Sequence, residues 1–258
     1  MDKVPELERL SEQEKDILIS RYDQLNSGLL HRRAIMKRSP RVVWVETQVR
    51  QRYSKARILD VGFVGAYSEP FLHLTLRHQN PEMQIVGVDM NLEGVLKWHF
   101  PNTLVADGRH LPFNGASFDV VLCLEVLEHL YSPIFLLTEF WRILKPSGDL
   151  VITTPNAWAW WNFLRHWMRG SLASRTRRNV YRHYLGDDDH KQFYDPLSLV
   201  NLLYDTGFQT ITLATKNHAV PLLGRWFMWF DLRDWQFYPM DRLGYYLCLI
   251  AKKAHSPC

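Results

Sequence analysis

The stretch Ala56-Arg57-Ile58-Leu59-Asp60-Val61-Gly62 is a short apolar run that ends in an acidic residue and enters a glycine-bearing turn. Ile58, Leu59 and Val61 read as a buried strand. Gly62 and Gly65 can take backbone angles that other residues resist. Ser68-Glu69-Pro70 then supplies an N-cap, an acidic first turn and an early proline, the start of a helix. A second strand, Gln84-Ile85-Val86-Gly87-Val88, ends at Asp89, so the unit is β-α-β with a carboxylate at the carboxyl end of its second strand. In a nucleoside-binding or dinucleotide-binding fold such a carboxylate meets ribose hydroxyls.

Outward from this unit the alternation continues. Leu92 to Trp98 predicts a short helix, and Thr103-Leu104-Val105-Ala106 a third strand that ends at Asp107-Gly108. Leu111-Pro112-Phe113 and an Asn114-Gly115 turn lead to a fourth strand, Asp119 to Leu124. Ser132-Pro133 opens a helix through Phe140, Trp141 and Leu144, Lys145-Pro146-Ser147-Gly148 stops it, and Asp149 to Thr154 is the fifth strand. Asp195-Pro196 starts a further helix through Leu199, Leu202 and Leu203, ended by Thr206-Gly207. Phe208 to Thr215 and Leu243 to Ala251 complete seven strands. This rhythm predicts an α/β fold, a doubly wound, mostly parallel, Rossmann-like sheet with helices on both faces.

At 258 residues the chain suits one sizeable α/β domain with additions. Residues 1–55 form an N-terminal helical segment: Ser11-Glu12-Gln13-Glu14 is a capping box followed by Ile17, Leu18, Tyr22 and Leu25, and Val42, Val45 and Val49 recur at helical spacing after Pro40. Residues 56–258 are the α/β domain, with a helical cap inserted at 157–186 and an aromatic insertion at 217–242. No apolar run is long enough to span a bilayer, and the charged start Met1-Asp2-Lys3 lacks a signal-peptide core, so a cytoplasmic location is expected. Cys123, Cys248 and Cys258 have no metal or disulfide spacing and read as thiols in a reducing compartment. A net charge of +4 permits an anionic partner without demanding one. Two aromatic blocks, Ala157 to Arg169 and Gly224 to Phe230, have three readings: the core of a cap, an apolar acceptor pocket, or a surface for peripheral membrane contact.

Asp60-Val61-Gly62-Phe63-Val64-Gly65-Ala66, Asp89, Val105-Ala106-Asp107-Gly108 and Phe118-Asp119-Val120-Val121-Leu122 together resemble the class I S-adenosylmethionine-dependent methyltransferases, particularly the group that includes ubiquinone and menaquinone methylases. The resemblance covers residues 56–156, returns at 190–215 and again at the last strand. It implies an antiparallel final strand, N-terminal helices over the substrate side, and S-adenosyl-L-methionine as cofactor. Carried over by position, Asp60 orients the turn, Gly62 and Gly65 curl around the methionine part, Asp89 meets the ribose, Met90 the adenine ring and Asp107 its amino group, with Gly108 and Leu124 beside them. One departure stands out. The family turn reads acidic-x-Gly-x-Gly-x-Gly, whereas here Val64 and Ala66 replace two glycines, Gly65 is one position out of register, and Val64 is expected to narrow the approach.

Methyl transfer from a sulfonium is an in-line displacement, so positioning the acceptor and excluding water can supply most of the catalysis. Glu125-Val126-Leu127-Glu128-His129 places two carboxylates and an imidazole at i, i+3 and i+4, on one face if the turn is helical. Glu125 and His129 are the candidate catalytic residues. The same E-x-x-E-H arrangement occurs in ubiquinone-pathway O-methyltransferases and small-RNA 2'-O-methyltransferases, where it resembles a divalent-metal site that orients the acceptor hydroxyl. The implied metal set here is Glu125, Glu128, His129 and, from a later segment, His190. The other reading of the motif is a packed, hydrogen-bonded histidine. Asp187-Asp188-Asp189 reads as a solvated acidic loop. The leading function is O-methylation of an aromatic, lipid-like or glycan-linked small molecule, with an apolar acceptor as partner. The alternatives are an RNA methylase, motivated by the arginines between 165 and 182, and a non-catalytic scaffold, motivated by Val64 and Ala66.

Overall fold

The computed structural model describes residues 40–64, 72–73, 75–77, 82–98, 100–159, 190–216, 242–254 and 256. The helix read near Ser11, the helix start at Ser68, Gly65 and Ala66, the arginines between 165 and 182, Asp187 to Asp189, Cys258 and nearly all of both aromatic blocks lie outside these residues.

Seven strands form one sheet in the order β3-β2-β1-β4-β5-β7-β6. The parallel centre consists of β1 (Arg57–Val61), β2 (Gln84–Asp89), β3 (Thr103–Val105) and β4 (Phe118–Leu124), with Val61 opposite Val88 on one side and Cys123 on the other. Next comes β5 (Leu144–Pro155), parallel to β4. The last strand, β7 (Tyr246–Lys253), runs antiparallel to both β5 and β6 (Phe208–Lys216), as the family resemblance implied. Strand order reverses between β1 and β4. In open α/β sheets such a switch leaves a crevice at the carboxyl ends of the strands, and that crevice positions the site.

Burial on both faces explains the unbroken apolar strand patterns. Ile58, Val120, Leu122, Leu124, Val151 and Ile250 pack with Val45 and Val49 of α1 (Pro40–Arg52). On the other face Leu59, Val61, Val121, Cys123 and Ile152 pack with Leu136, Leu137, Phe140 and Ile143 of α3 (Pro133–Ile143) and with Leu199 and Leu203 of α4 (Pro196–Asp205); α2 is Leu92–Trp98. Cys123 and Cys248 are buried free thiols, each held above the usual thiol range by burial first. The α4 start is a capping box: Asp195 Oδ1 accepts from the Leu197 and Ser198 amides, and Ser198 Oγ accepts from the Asp195 amide.

Some boundaries differ from expectation. The helix after Ser132 ends at Ile143 and β5 begins at once at Leu144, because Ser147 turns with φ +60° and lets the strand resume at Asp149 beside Val120. The final strand spans Tyr246–Lys253 rather than starting at Leu243, since Gly244 is tied to the Thr215 hydroxyl before the β7 ladder begins. Among the described residues no helix is long and apolar enough to cross a membrane.

Candidate active site

One wall of the crevice is the turn after β1. Gly62 takes φ +80°, and a Cβ there would overlap Val126 Cγ2, so glycine is needed both for the backbone angle and for the approach of the turn after β4. Its amide donates to the Val88 carbonyl at 2.8 Å. Phe63 is buried beneath the turn, its ring 4.9 Å from the His73 ring and 6.3 Å from that of Phe100. Asp60 is buried as well, and its Oδ2 lies 2.9 Å from His73 Nδ1.

Val64 packs on the helix that follows β2. It is buried, and a Cβ on Gly94 of α2 would overlap Val64 Cγ1, so the room missing at the turn is found on the helix that follows β2. The Val64 amide donates to Asp89 Oδ2 at 2.9 Å, while Asp89 Oδ1 accepts from Asn91 N at 2.8 Å. Each carboxylate oxygen keeps a second lone pair for a ribose hydroxyl. Met90 beside it is 63% exposed, an apolar side chain open to a flat ring. The chemistry of these residues fits S-adenosylmethionine. Three other expected contacts, Asp107, Gly108 and Leu124, have partners within the chain. Asp107 is paired with Arg109, Oδ2 to Nη2 at 2.6 Å, and that hydrogen bond holds its carboxyl below the usual range. Gly108 is buried where a Cβ would lie 2.6 Å from Leu136 Cδ1, so it serves the close packing of α3. Leu124 is buried in the α1-side core.

The opposite wall follows β4, and it corrects the one-face expectation. Glu125 has φ +57° and its amide donates to Thr153 O at 2.9 Å, so the chain turns sharply before a single 3-10 turn, Leu127–His129. The two glutamates therefore meet different partners. Glu125 Oε1 lies 3.5 Å from Nη1 of Arg41, a buried guanidinium at the start of α1 that also donates to Thr153 Oγ1 at 3.3 Å and lies 5.0 Å from the Tyr246 ring centroid. Glu128 is buried, with Oε2 accepting from the Thr154 hydroxyl at 3.0 Å and Oε1 without a hydrogen-bond partner. Burial, then the nearby Glu125 charge, pushes its carboxyl well above the usual range.

The Glu128 carbonyl accepts the Lys191 and Gln192 amides, at 2.6 and 3.0 Å, and this brings the segment after the cap onto the turn. His190 thereby reaches His129, ring centroids 5.0 Å apart, and one donor atom each from Glu128, His129 and His190 lie within 4.8 Å of one another. Glu125 is outside that group.

A family model described as a methyltransferase domain matches residues 29–213. The chain belongs to the class I S-adenosylmethionine-dependent methyltransferase family. It is 30% identical over 126 residues to the ubiquinone biosynthesis O-methyltransferase of Haemophilus ducreyi, covering 44% of this chain and 50% of that one. It is 27% identical over 179 residues to the protein of the same name from Colwellia psychrerythraea, covering 65% and 66%. The chain thus spans between half and two thirds of the length of these curated relatives. An S-adenosylmethionine-dependent methyltransferase structure from Archaeoglobus fulgidus superposes with a TM-score of 0.54 at 18% identity, covering 82% of this chain and 94% of that one, a likeness of fold.

Within this family fold, sequence reasoning missed three residues. Arg41 carries a signal in retrospect: it stands four and eight positions before Val45 and Val49, a charge on the buried stripe of α1. His73 has the weaker signal of a histidine amid Leu72 and Leu76. Asn156, at the end of β5, joins the two insertion boundaries: its Nδ2 donates to the Arg242 and Gly244 carbonyls, and it bridges Tyr194. Only the tertiary arrangement shows that role.

Proposed function

We propose that this protein transfers the methyl group of S-adenosylmethionine to a hydroxyl of an aromatic, lipid-like or glycan-linked small molecule. The observation that carries this reading is the cluster of Glu128 and His129, on the turn directly after β4, with His190 from the segment fastened to that turn, while Val126 of the same turn packs against Gly62. Bound S-adenosylmethionine supplies an electrophilic methyl on a sulfonium; the C–S bond breaks, an O–C bond forms, and the hydroxyl proton leaves to solvent. Asp89 would hold the ribose, Met90 would cover the adenine, and the Gly62 turn would fix the methionine part, so that positioning supplies the catalysis. The buried, unpartnered Glu128 Oε1 beside two imidazoles fits a divalent cation. Held by this cluster, such an ion would lower the pKa of the acceptor hydroxyl. The names of the two relatives are consistent with an oxygen acceptor.

Calorimetry with S-adenosylmethionine and with its demethylated product, followed by labelled-methyl transfer to panels of catechols, hydroxylated lipids and glycosides, tests the proposal. Cofactor binding and oxygen methylation in one panel are expected. A chain that binds neither cofactor form at millimolar concentration is a scaffold, and the proposal then falls.

A further inference from the structure

We infer that Glu125 is not a ligand of the divalent ion, and that Glu128, His129 and His190 alone form a three-donor site that takes an imidazole-preferring first-row transition ion such as Zn²⁺ or Co²⁺ in preference to Mg²⁺. This rests on the metal reading proposed above and changes its ligand count and its metal class.

In the sequence Glu125 and Glu128 are equivalent donors. The fold separates them. Glu125 leaves β4 in the left-handed region, φ +57°, and its Oε1, buried and accepting no hydrogen bond, meets the Arg41 guanidinium as an ion pair at 3.5 Å. Both are largely withdrawn from solvent, with side-chain exposures of 18% for Glu125 and 7% for Arg41. Drawing Glu125 onto a metal would take the carboxylate from a buried guanidinium, and breaking a buried ion pair from one side is the costly direction. Thr153 and the Tyr246 ring hold Arg41 in place, so the guanidinium is not free to follow.

Glu128 lies beside the two imidazoles instead. One of its oxygens is fixed by the Thr154 hydroxyl and the other is buried with no hydrogen-bond partner. Buried acceptors in folded proteins nearly always have a partner, and a cation is a ligand that satisfies a carboxylate lone pair without needing a donor hydrogen. One imidazole comes from the same turn and the other from the segment fastened to the Glu128 carbonyl, so two hydrogen-bonded segments carry all three donors. The three donor atoms lie within 4.8 Å of one another, and side-chain rotation must draw them to about 3.4 Å apart to meet one ion with bonds of about 2.0–2.2 Å.

The donor chemistry then selects the metal. Imidazole suits zinc, iron, cobalt and nickel, whereas Mg²⁺ prefers oxygen donors in near-octahedral geometry and keeps much of its water. With Glu125 included, the set is half carboxylate. Without it, two of three donors are nitrogen, and open positions remain for the acceptor oxygen.

The test uses the tag-free full chain, stripped with chelator and titrated with Co²⁺, Zn²⁺ and Mg²⁺ by calorimetry, with Co²⁺ also followed by its visible absorption. One Co²⁺ or Zn²⁺ per chain is expected, not displaced by a roughly hundredfold excess of Mg²⁺. Glu125→Gln should keep Co²⁺ affinity within about threefold, while His129→Ala, His190→Ala and Glu128→Gln should each lower it at least about tenfold. Glu128 is buried and its variant can fail to fold; His129 is exposed, so its variant keeps the test decisive. A Glu125→Gln loss as large as that of His129→Ala restores the four-ligand set and overturns the inference. Displacement of Co²⁺ by Mg²⁺ overturns the metal class. If no ion binds stoichiometrically, the site is lost; S-adenosylmethionine binding in the same preparation would then leave the methyl-transfer proposal standing without a metal, and its absence would remove both.

Discussion

The two walls of the crevice handle their polar groups in opposite ways. On the cofactor side they are mostly matched within the chain: Asp60 has His73, Asp89 takes the amides of Val64 and Asn91, and Asp107 has Arg109, with His73 Nε2 the buried atom left over. On the acceptor side the backbone enters the left-handed region at Glu125, and Glu128 keeps a buried oxygen unmatched beside two imidazoles. A wall that satisfies itself can stay rigid before anything binds. A wall with an unmatched buried acceptor stores its satisfaction for a ligand.

The harshest way to break this contrast is Gly62→Ala, because Gly62 is where the walls touch. A Cβ there combines an unfavourable positive φ with overlap on Val126, and the loss of stability should be about 3 kcal/mol in urea unfolding. Affinity for both cofactor and metal should fall together. Asp89→Ala acts on one wall alone. It removes a charged acceptor from the ribose position and from the Val64 amide, and calorimetry should show cofactor binding weaker by about 2 kcal/mol, roughly 30-fold, with Co²⁺ affinity unchanged.

Gly94→Ala sharpens the account of the altered turn. Alone it should cost about 1–2 kcal/mol by overpacking against Val64, and Val64→Gly in the same chain should return most of that. If the double variant is no better than the single one, Val64 and Gly94 do not share the space assigned to them. The smallest effect concerns pH. Burial and Glu125 hold the Glu128 carboxyl above the usual carboxylate range, so the metal-free fold keeps this part of its stability below the ordinary glutamate pKa and loses it as pH rises through the raised value. Glu128→Gln has no proton to lose there. Its stability should be flatter with pH over that window, by a slope of at most about 1.4 kcal/mol per pH unit, read from urea midpoints with chelator present.

Much of the fold was legible because it depends on local patterns. Strands buried on both faces read as continuous apolar runs, as in Val120 to Leu124, and helices open on proline after a capping residue, as at Ser132-Pro133 and Asp195-Pro196. Asp89 was legible for the same reason, since a carboxylate that ends a parallel strand is delivered to the carboxyl edge by topology alone. Val64 was not. Whether it obstructs the turn depends on Gly94, thirty positions later and on another element.

By itself, the sequence determined the alternation of strands and helices, the glycine at the first turn, and the residue types that reach the crevice. Tertiary structure decided their pairing. Spacing predicts a shared face only along an unbroken helix, and the left-handed step at Glu125 breaks that rule within the motif. After that step, Glu125 belongs to Arg41 and Glu128 to His129 and His190, because partners are chosen by which elements the sheet brings together. Arg41 arrives on α1 across β5 and β7, and His190 arrives through two amides on a glutamate carbonyl. Neither contact is encoded by distance along the chain.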